Sequence, residues 1–74
     1  MKARVYVSLK STVLDPQGQA VRTALVGLGH AGVHDVRQGK AFEITFDAGE
    51  DLDSIAREVL TNPVIEEYRI EYLS

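Results

Sequence analysis

At 74 residues, with 45% hydrophobic and 26% charged side chains, the chain has the composition of one small globular domain spanning 1–74, which excludes disorder and low complexity. A domain of this size buries only about 60% of the surface its unfolded form exposes; with no cysteine and two histidines, disulfides, thiolate metal sites and a structural zinc cage are excluded and self-association is the remaining source of stability. The net charge of −3 is unevenly spread, six basic and two acidic side chains in residues 1–40 against two basic and nine acidic in 41–74, a polarity that suits association with another protein better than nucleic-acid binding and whose plainer reading is two solvated faces of opposite sign.

Ala3, Val5, Val7 and Leu9 alternate with Arg4, Tyr6, Ser8 and Lys10, which predicts a half-buried first strand. No apolar run is long enough for a signal peptide or a membrane-spanning helix, so a soluble, cytoplasmic protein with no membrane partner is expected. Asp15-Pro16 reads as a helix start, because the carboxylate can accept from free N–H groups and proline loses nothing at the first helical position. Val21, Ala24, Leu25 and Leu28 then share one helical face, and the Gly29–Gly32 segment ends the helix, since glycine enters the left-handed cap cheaply. A short second strand is predicted around Val33 and Val36, a tight turn at Gln38-Gly39-Lys40, and a third strand carrying Phe42, Ile44 and Phe46, the last two strands forming a hairpin.

Leu52, Ile55, Ala56, Val59 and Leu60 fall at helical spacing behind Asp51 and Asp53, which suit the positive end of a helix dipole. Asn62-Pro63 stops this second helix, because the residue before proline is driven out of the α region, and Val64–Tyr72 resumes extended chain. The order β-α-β-β-α-β predicts an α+β, two-layer sandwich of ferredoxin-like type, an antiparallel sheet with both helices on one face. The other sheet face, with Tyr6, Thr45 and Arg69, then lacks a cover and becomes a candidate for contact between copies.

Motifs that resemble active sites fail on context. Gly27-Leu28-Gly29-His30-Ala31-Gly32 spells a dinucleotide-binding pattern, but these glycines close a helix where the motif requires a strand leading into one. His30 and His34 have no converging carboxylate or nucleophile, and Asp47, Glu50, Asp51 and Asp53 lack the glycine and distal glutamate of a calcium loop, so no metal site is expected. The aromatics of Gly39–Phe46 are assigned to the core rather than to base stacking, because the opposite face offers Glu43. Ser11–Leu14 contain neither the glycine nor the arginine of a phosphate cradle. The residues therefore describe a non-catalytic, self-associating module.

Four runs stand together along nearly the whole chain: Val5–Lys10; Val13-Leu14-Asp15-Pro16-Gln17-Gly18 with Ala20-Val21 and Ala24-Leu25; Gly32-Val33 with Asp35-Val36-Arg37 and Gly39-Lys40; and Leu60 with Asn62–Glu66 and Tyr68. In this order and at this length the sequence resembles the PurS family, the small subunit of phosphoribosylformylglycinamidine synthase. The resemblance implies a non-catalytic subunit of a purine-pathway ligase in which a large synthetase subunit activates the amide oxygen of formylglycinamide ribonucleotide and a glutaminase subunit releases ammonia. A homodimer or higher oligomer of the small subunit would help those two partners associate so that ammonia passes without escape. ATP, magnesium and glutamine would serve the complex, with no cofactor and no nucleic acid bound by this chain. The second helix, 51–61, is shorter than the family pattern.

Carried onto this sequence, the resemblance marks Leu14, Gln17, Gly18, Asp35, Arg37, Lys40, Glu66 and Tyr68 as partner-contacting, and Asp15, Pro16, Gly39, Asn62 and Pro63 as structural. A second reading is a dimeric small-molecule-sensing regulatory domain of ACT-like topology, motivated by the Gly29–Gly32 loop. Stabilisation of the isolated chain by a ligand would mark that alternative.

Overall fold

A computed structural model describes residues 1–73. Strands β1 (Lys2–Leu9), β2 (Gly39–Thr45) and β3 (Glu66–Tyr72) form an antiparallel sheet in the order β2-β1-β3. The register sets Val5 between Phe42 and Ile70, and Ala3 between Ile44 and Tyr72. Directly opposed residues share a face, so the alternation seen in each strand adds up to one apolar and one polar face. Ala3, Val5 and Val7 are buried on the apolar face, Val5 and Val7 packed with Ala56 and partly surrounded by Phe42, Ile44, Leu60, Tyr68 and Ile70, and Leu52 is buried as well. The polar face carries Arg4 3.3 Å from Glu43 and 3.9 Å from Glu71, Lys2 3.5 Å from Glu43, and the Arg69 guanidinium 4.4 Å from the centre of the Tyr6 ring.

Helix α1 (Pro16–Gly27) starts as the sequence predicts, with Asp15 as N-cap and Pro16 in the first turn. It ends with the Gly29 N–H donating to the Val26 carbonyl and the His30 N–H to the Leu25 carbonyl, both at 3.0 Å, while Gly29 adopts φ of 102°. That pair of bonds requires a left-handed residue, which glycine supplies without a Cβ penalty. Helix α2 (Leu52–Ile55) is capped by Asp51, whose side chain accepts from the Ser54 N–H at 3.2 Å, and runs on as one π-helical turn (Ala56–Leu60) before Asn62-Pro63. Among the described residues no helix is long and apolar enough to cross a membrane.

The α+β class, the antiparallel sheet and the two helices agree with the sequence; two particulars do not. Val33–Val36 is not a strand and Gln38-Gly39-Lys40 is not a turn: residues 33–38 pair with no strand, and Gly39 and Lys40 already belong to β2. Helix α1 also stays off the sheet, with Gly18 its one buried residue. The Cα radius of gyration is 15.5 Å, against about 11 Å for a compact chain of this length, and the extents are 49 × 27 × 13 Å.

The cause lies in what segment 33–38 is bonded to. The Gln38 N–H donates to the Asp15 carboxylate at 2.7 Å, the Val36 carbonyl lies against Gly18, and the Val33 carbonyl accepts from Arg22 Nε at 3.2 Å. The segment therefore runs back antiparallel along α1, and the two leave the sheet together as an arm. A turn at Gln38 would break the carboxylate contact that closes the base of that arm.

Candidate functional site: the cleft at the base of the arm

Where the arm joins the sheet, the end of β1, the mouth of α1, the entry to β2 and the start of β3 enclose a cleft of about 290 Å³. Asp15 organises it. Its side chain is buried, one oxygen accepting from the Gly18 N–H at 2.9 Å and the other from Gln38. These two backbone bonds, that from Gln38 the stronger influence, hold the carboxyl below the ordinary carboxylate range, with the Arg37 charge acting the same way. Gly18 is required here because a Cβ would collide with the Val36 carbonyl oxygen. Gly39 is required for a similar reason, since a Cβ there would lie 2.7 Å from the Val7 carbonyl oxygen.

Arg37 donates to the Lys10 carbonyl at 3.0 Å and sits 3.5 Å from that of Leu9. Lys10 in turn donates from Nζ to the Pro63 carbonyl at 2.8 Å and from its backbone N–H to the Ile65 carbonyl at 2.9 Å. The base of the arm, the end of β1 and the Asn62-Pro63 turn are thus fastened in series. Asn62 Oδ1 accepts from the Val64 N–H at 3.2 Å, and the Asn62 N–H donates to Glu66 Oε1 at 2.8 Å. Lys40 Nζ lies 3.9 Å from Glu66 and 5.7 Å from the centre of the Phe42 ring.

Of the eight residues expected to contact partners, Gln17, Lys40 and Glu66 line this one cleft, together with Asp15, Pro16 and Gly39. Leu14 is exposed at its lip, Arg37 is drawn into the fastening beside it, and Asp35 is exposed on the arm. Gly18 is buried and offers no surface of its own. Tyr68 lies elsewhere, its hydroxyl donating to Asp53 Oδ1 at 3.2 Å, with burial and then this bond raising the phenol above its ordinary value. Ser8 and Gln38 also line the cleft, Gln38 donating from its side-chain amide to that of Gln17, and sequence reasoning did not single out either. The signal for Gln38 was present in Asp15, which can serve as acceptor for a second chain segment as well as for its own helix.

The cleft offers side-chain amides, an ammonium–carboxylate pair and an apolar lip, which are groups that hold polypeptide by hydrogen bonds and packing. Among the described residues no three His, Asp or Glu side chains converge to hold a metal ion. The Gly29–Gly32 loop lies at the tip of the arm, away from the cleft, and Gly29 is accounted for by the helix cap.

Comparison with known proteins gives one answer. Residues 2–74 match the family model described as PurS: Phosphoribosylformylglycinamidine (FGAM) synthase. The chain is 50% identical over 72 residues to the phosphoribosylformylglycinamidine synthase subunit PurS of Mycobacterium leprae, covering 93% of this chain and 91% of that one. Among solved structures it resembles Bacillus subtilis PurS with a TM-score of 0.85 at 48% identity, over 95% and 94% of the two chains. It also resembles a chain of the PurLQS structure from Thermotoga maritima with a TM-score of 0.85 at 28% identity, over 97% and 95%.

Proposed function

Because the chain belongs to the PurS family of phosphoribosylformylglycinamidine synthase subunits, we propose that its work in purine biosynthesis is assembly: it bridges the glutaminase and synthetase subunits so that ammonia passes from glutamine to formylglycinamide ribonucleotide. The observation that carries this reading is its likeness, over nearly its full length, to a chain of a PurLQS structure. ATP, magnesium and glutamine are then handled by the larger subunits of the ligase, and this chain contributes surface rather than reacting groups. It acts as a homodimer or a multiple of one, in the cytoplasm.

Partner contact is assigned to the cleft and its lip, through Leu14, Gln17, Lys40 and Glu66, with Asp35 on the arm as a further contact. Gly18 and Arg37 support that surface by setting the angle of the arm, and Tyr68 by anchoring β3 to α2. Groups of this kind, polar and already ordered by neighbours, lose little conformational freedom on docking.

The test is glutamine-dependent amidine formation by the two larger subunits with and without this chain, beside a control driven by free ammonia. The chain restores the glutamine reaction and leaves the ammonia reaction unchanged. Lys40→Glu, which places two carboxylates together at the cleft, lowers the glutamine reaction about tenfold while the circular dichroism of the isolated chain is unaltered. A glutamine reaction indifferent to the chain would overturn the assembly role.

A further inference from the structure

A separate cavity of about 330 Å³ lies where the π-helical turn, the Asn62-Pro63 stop and the start of β3 meet, and it shares only Glu66 with the cleft at the base of the arm. Arg57 and Thr61 line it from the turn, Glu67 and Tyr68 from β3, and Lys10 and Pro63 complete the wall. The Tyr68 and Pro63 rings and the methylene stems of the long side chains make much of that wall apolar. The volume stands at the lower end of the range for small-molecule sites, roughly 300 to 1,000 Å³, which suits an amino acid rather than a nucleotide.

Most polar groups around the cavity are already engaged. Lys10 Nζ donates to the Pro63 carbonyl, Glu66 accepts from the Asn62 N–H and lies 3.9 Å from Lys40, and the Tyr68 hydroxyl donates to Asp53. Three groups are not. Thr61 is 8% exposed, and its buried Oγ1 has no hydrogen-bond partner among the described residues. Arg57 and Glu67 form no ion pair within 4 Å among the described residues. The Tyr68 phenol, pushed up by burial and by the Asp53 bond, is drawn part of the way back by the Arg57 charge, so the guanidinium stands near the Tyr68 side of the cavity.

A buried hydroxyl without a partner carries its full desolvation cost, and native chains rarely keep one without a use for it. Thr61 has extended backbone, with φ −123° and ψ 138°, and one step of χ1 between staggered positions can turn its Oγ1 toward a bonding partner. An anion alone would satisfy Arg57 and Thr61 but would face Glu67; a cation alone would face Arg57. A molecule that carries both charges a few bonds apart answers all three groups.

We infer that this cavity is a binding site for a free α-amino acid with an apolar side chain. Its carboxylate is held by Arg57 and the Thr61 hydroxyl, its ammonium by Glu67, and its side chain lies against the Tyr68 and Pro63 rings. The inference goes beyond the assembly role, because it gives the chain a small-molecule ligand of its own. The site adjoins the turn that Lys10 fastens to the end of β1.

The test uses the isotope-labelled native chain, titrated with L-leucine and followed by the shifts of its backbone amides, and does not depend on the glutamine reaction. L-leucine gives saturable shifts confined to residues 57–68 and Lys10. Isocaproate, which lacks the ammonium, and isoamylamine, which lacks the carboxylate, each bind at least roughly tenfold more weakly, the scale of one hydrogen-bonded charge. Absence of a saturable response to L-leucine and L-phenylalanine at millimolar concentration overturns the proposal, and so does isocaproate binding as tightly as L-leucine. Protection of these amides by the larger subunits alone, with no response to either amino acid, assigns the cavity to docking and overturns it too.

Two variants sharpen the result. Thr61→Val keeps the shape of the side chain and removes the unpartnered hydroxyl, so it raises the melting temperature of the free chain while weakening L-leucine about tenfold. Arg57→Gln weakens L-leucine at least about tenfold with unaltered circular dichroism. L-leucine binding that is unchanged in both variants overturns the site.

Discussion

Val5 in β1 and Leu28 at the C-cap of α1 are both apolar side chains on the apolar stripe that the sequence pattern defines, yet Val5 has no exposed surface and Leu28 retains 77%. Val5 is enclosed because β1 is the central strand, with Phe42 on one side, Ile70 on the other and Ala56 above. Leu28 follows an element whose local signals are just as good, an N-cap, a proline start and a glycine stop, but which stands off the sheet. Local sequence is enough to make a helix; where its apolar stripe is buried depends on whether the connecting segment can turn back.

The contrast can be broken most severely from the side of the sheet. Val5→Asp places an unpaired charge in the apolar layer beneath α2 and costs about 4 kcal/mol or more, comparable with the whole stability of a domain this small. The variant shows no cooperative transition in urea. Gly18→Ala acts on the arm: its Cβ meets a backbone oxygen that cannot swing aside, at a cost of about 2 kcal/mol. Hydrogen exchange should show α1 amides losing protection while β1 amides keep theirs; equal loss in both would mean that arm and sheet unfold as one unit.

Asp15 offers a smaller and reversible version of the same experiment. Asp15→Ala removes a helix cap and leaves the Gln38 N–H without its acceptor, so α1 amides exchange about five- to tenfold faster. Because the carboxyl is held below its ordinary value in the folded chain, its stabilisation is present in full above the unfolded value of about 3.9 and is lost as pH falls through the depressed folded value. Protection of the arm therefore declines in acid below about pH 4, and Asp15→Asn flattens that decline.

The smallest effect is expected on the polar face of the sheet. Glu43 is held below its ordinary value by a hydrogen bond from Arg4 and by the charge of Lys2, but these groups are solvated. Exposed pairs of this kind contribute little. Glu43→Gln shifts the melting temperature by no more than about 2 °C, and a larger shift would mean that this face is covered in solution.

How much of the candidate site could be read beforehand follows the same division. Asp15 and Pro16 were legible as a helix start, and Gln17, Lys40 and Glu66 were marked by resemblance although nothing in their spacing says that they meet. Lys10 was not legible as a fastening, since its ammonium bonds to a backbone carbonyl 53 residues away. Gln38 was assigned to a turn because glycine and lysine follow it; the competing acceptor, the second oxygen of Asp15, is 23 residues distant.

From its amino acids alone the chain determines where its helices start and stop, which face of each strand is apolar, and the family to which it belongs. Caps, turns and alternation act over a few residues, and their signals survive in any context. The tertiary structure decided that β1 is central, that segment 33–38 follows α1 instead of pairing with β2, and that Gln17, Lys40 and Glu66 share one cleft. Those outcomes depend on one buried carboxylate with two oxygens, able to accept from its own helix and from a strand entry far along the chain, and on a glycine that lets the two approach.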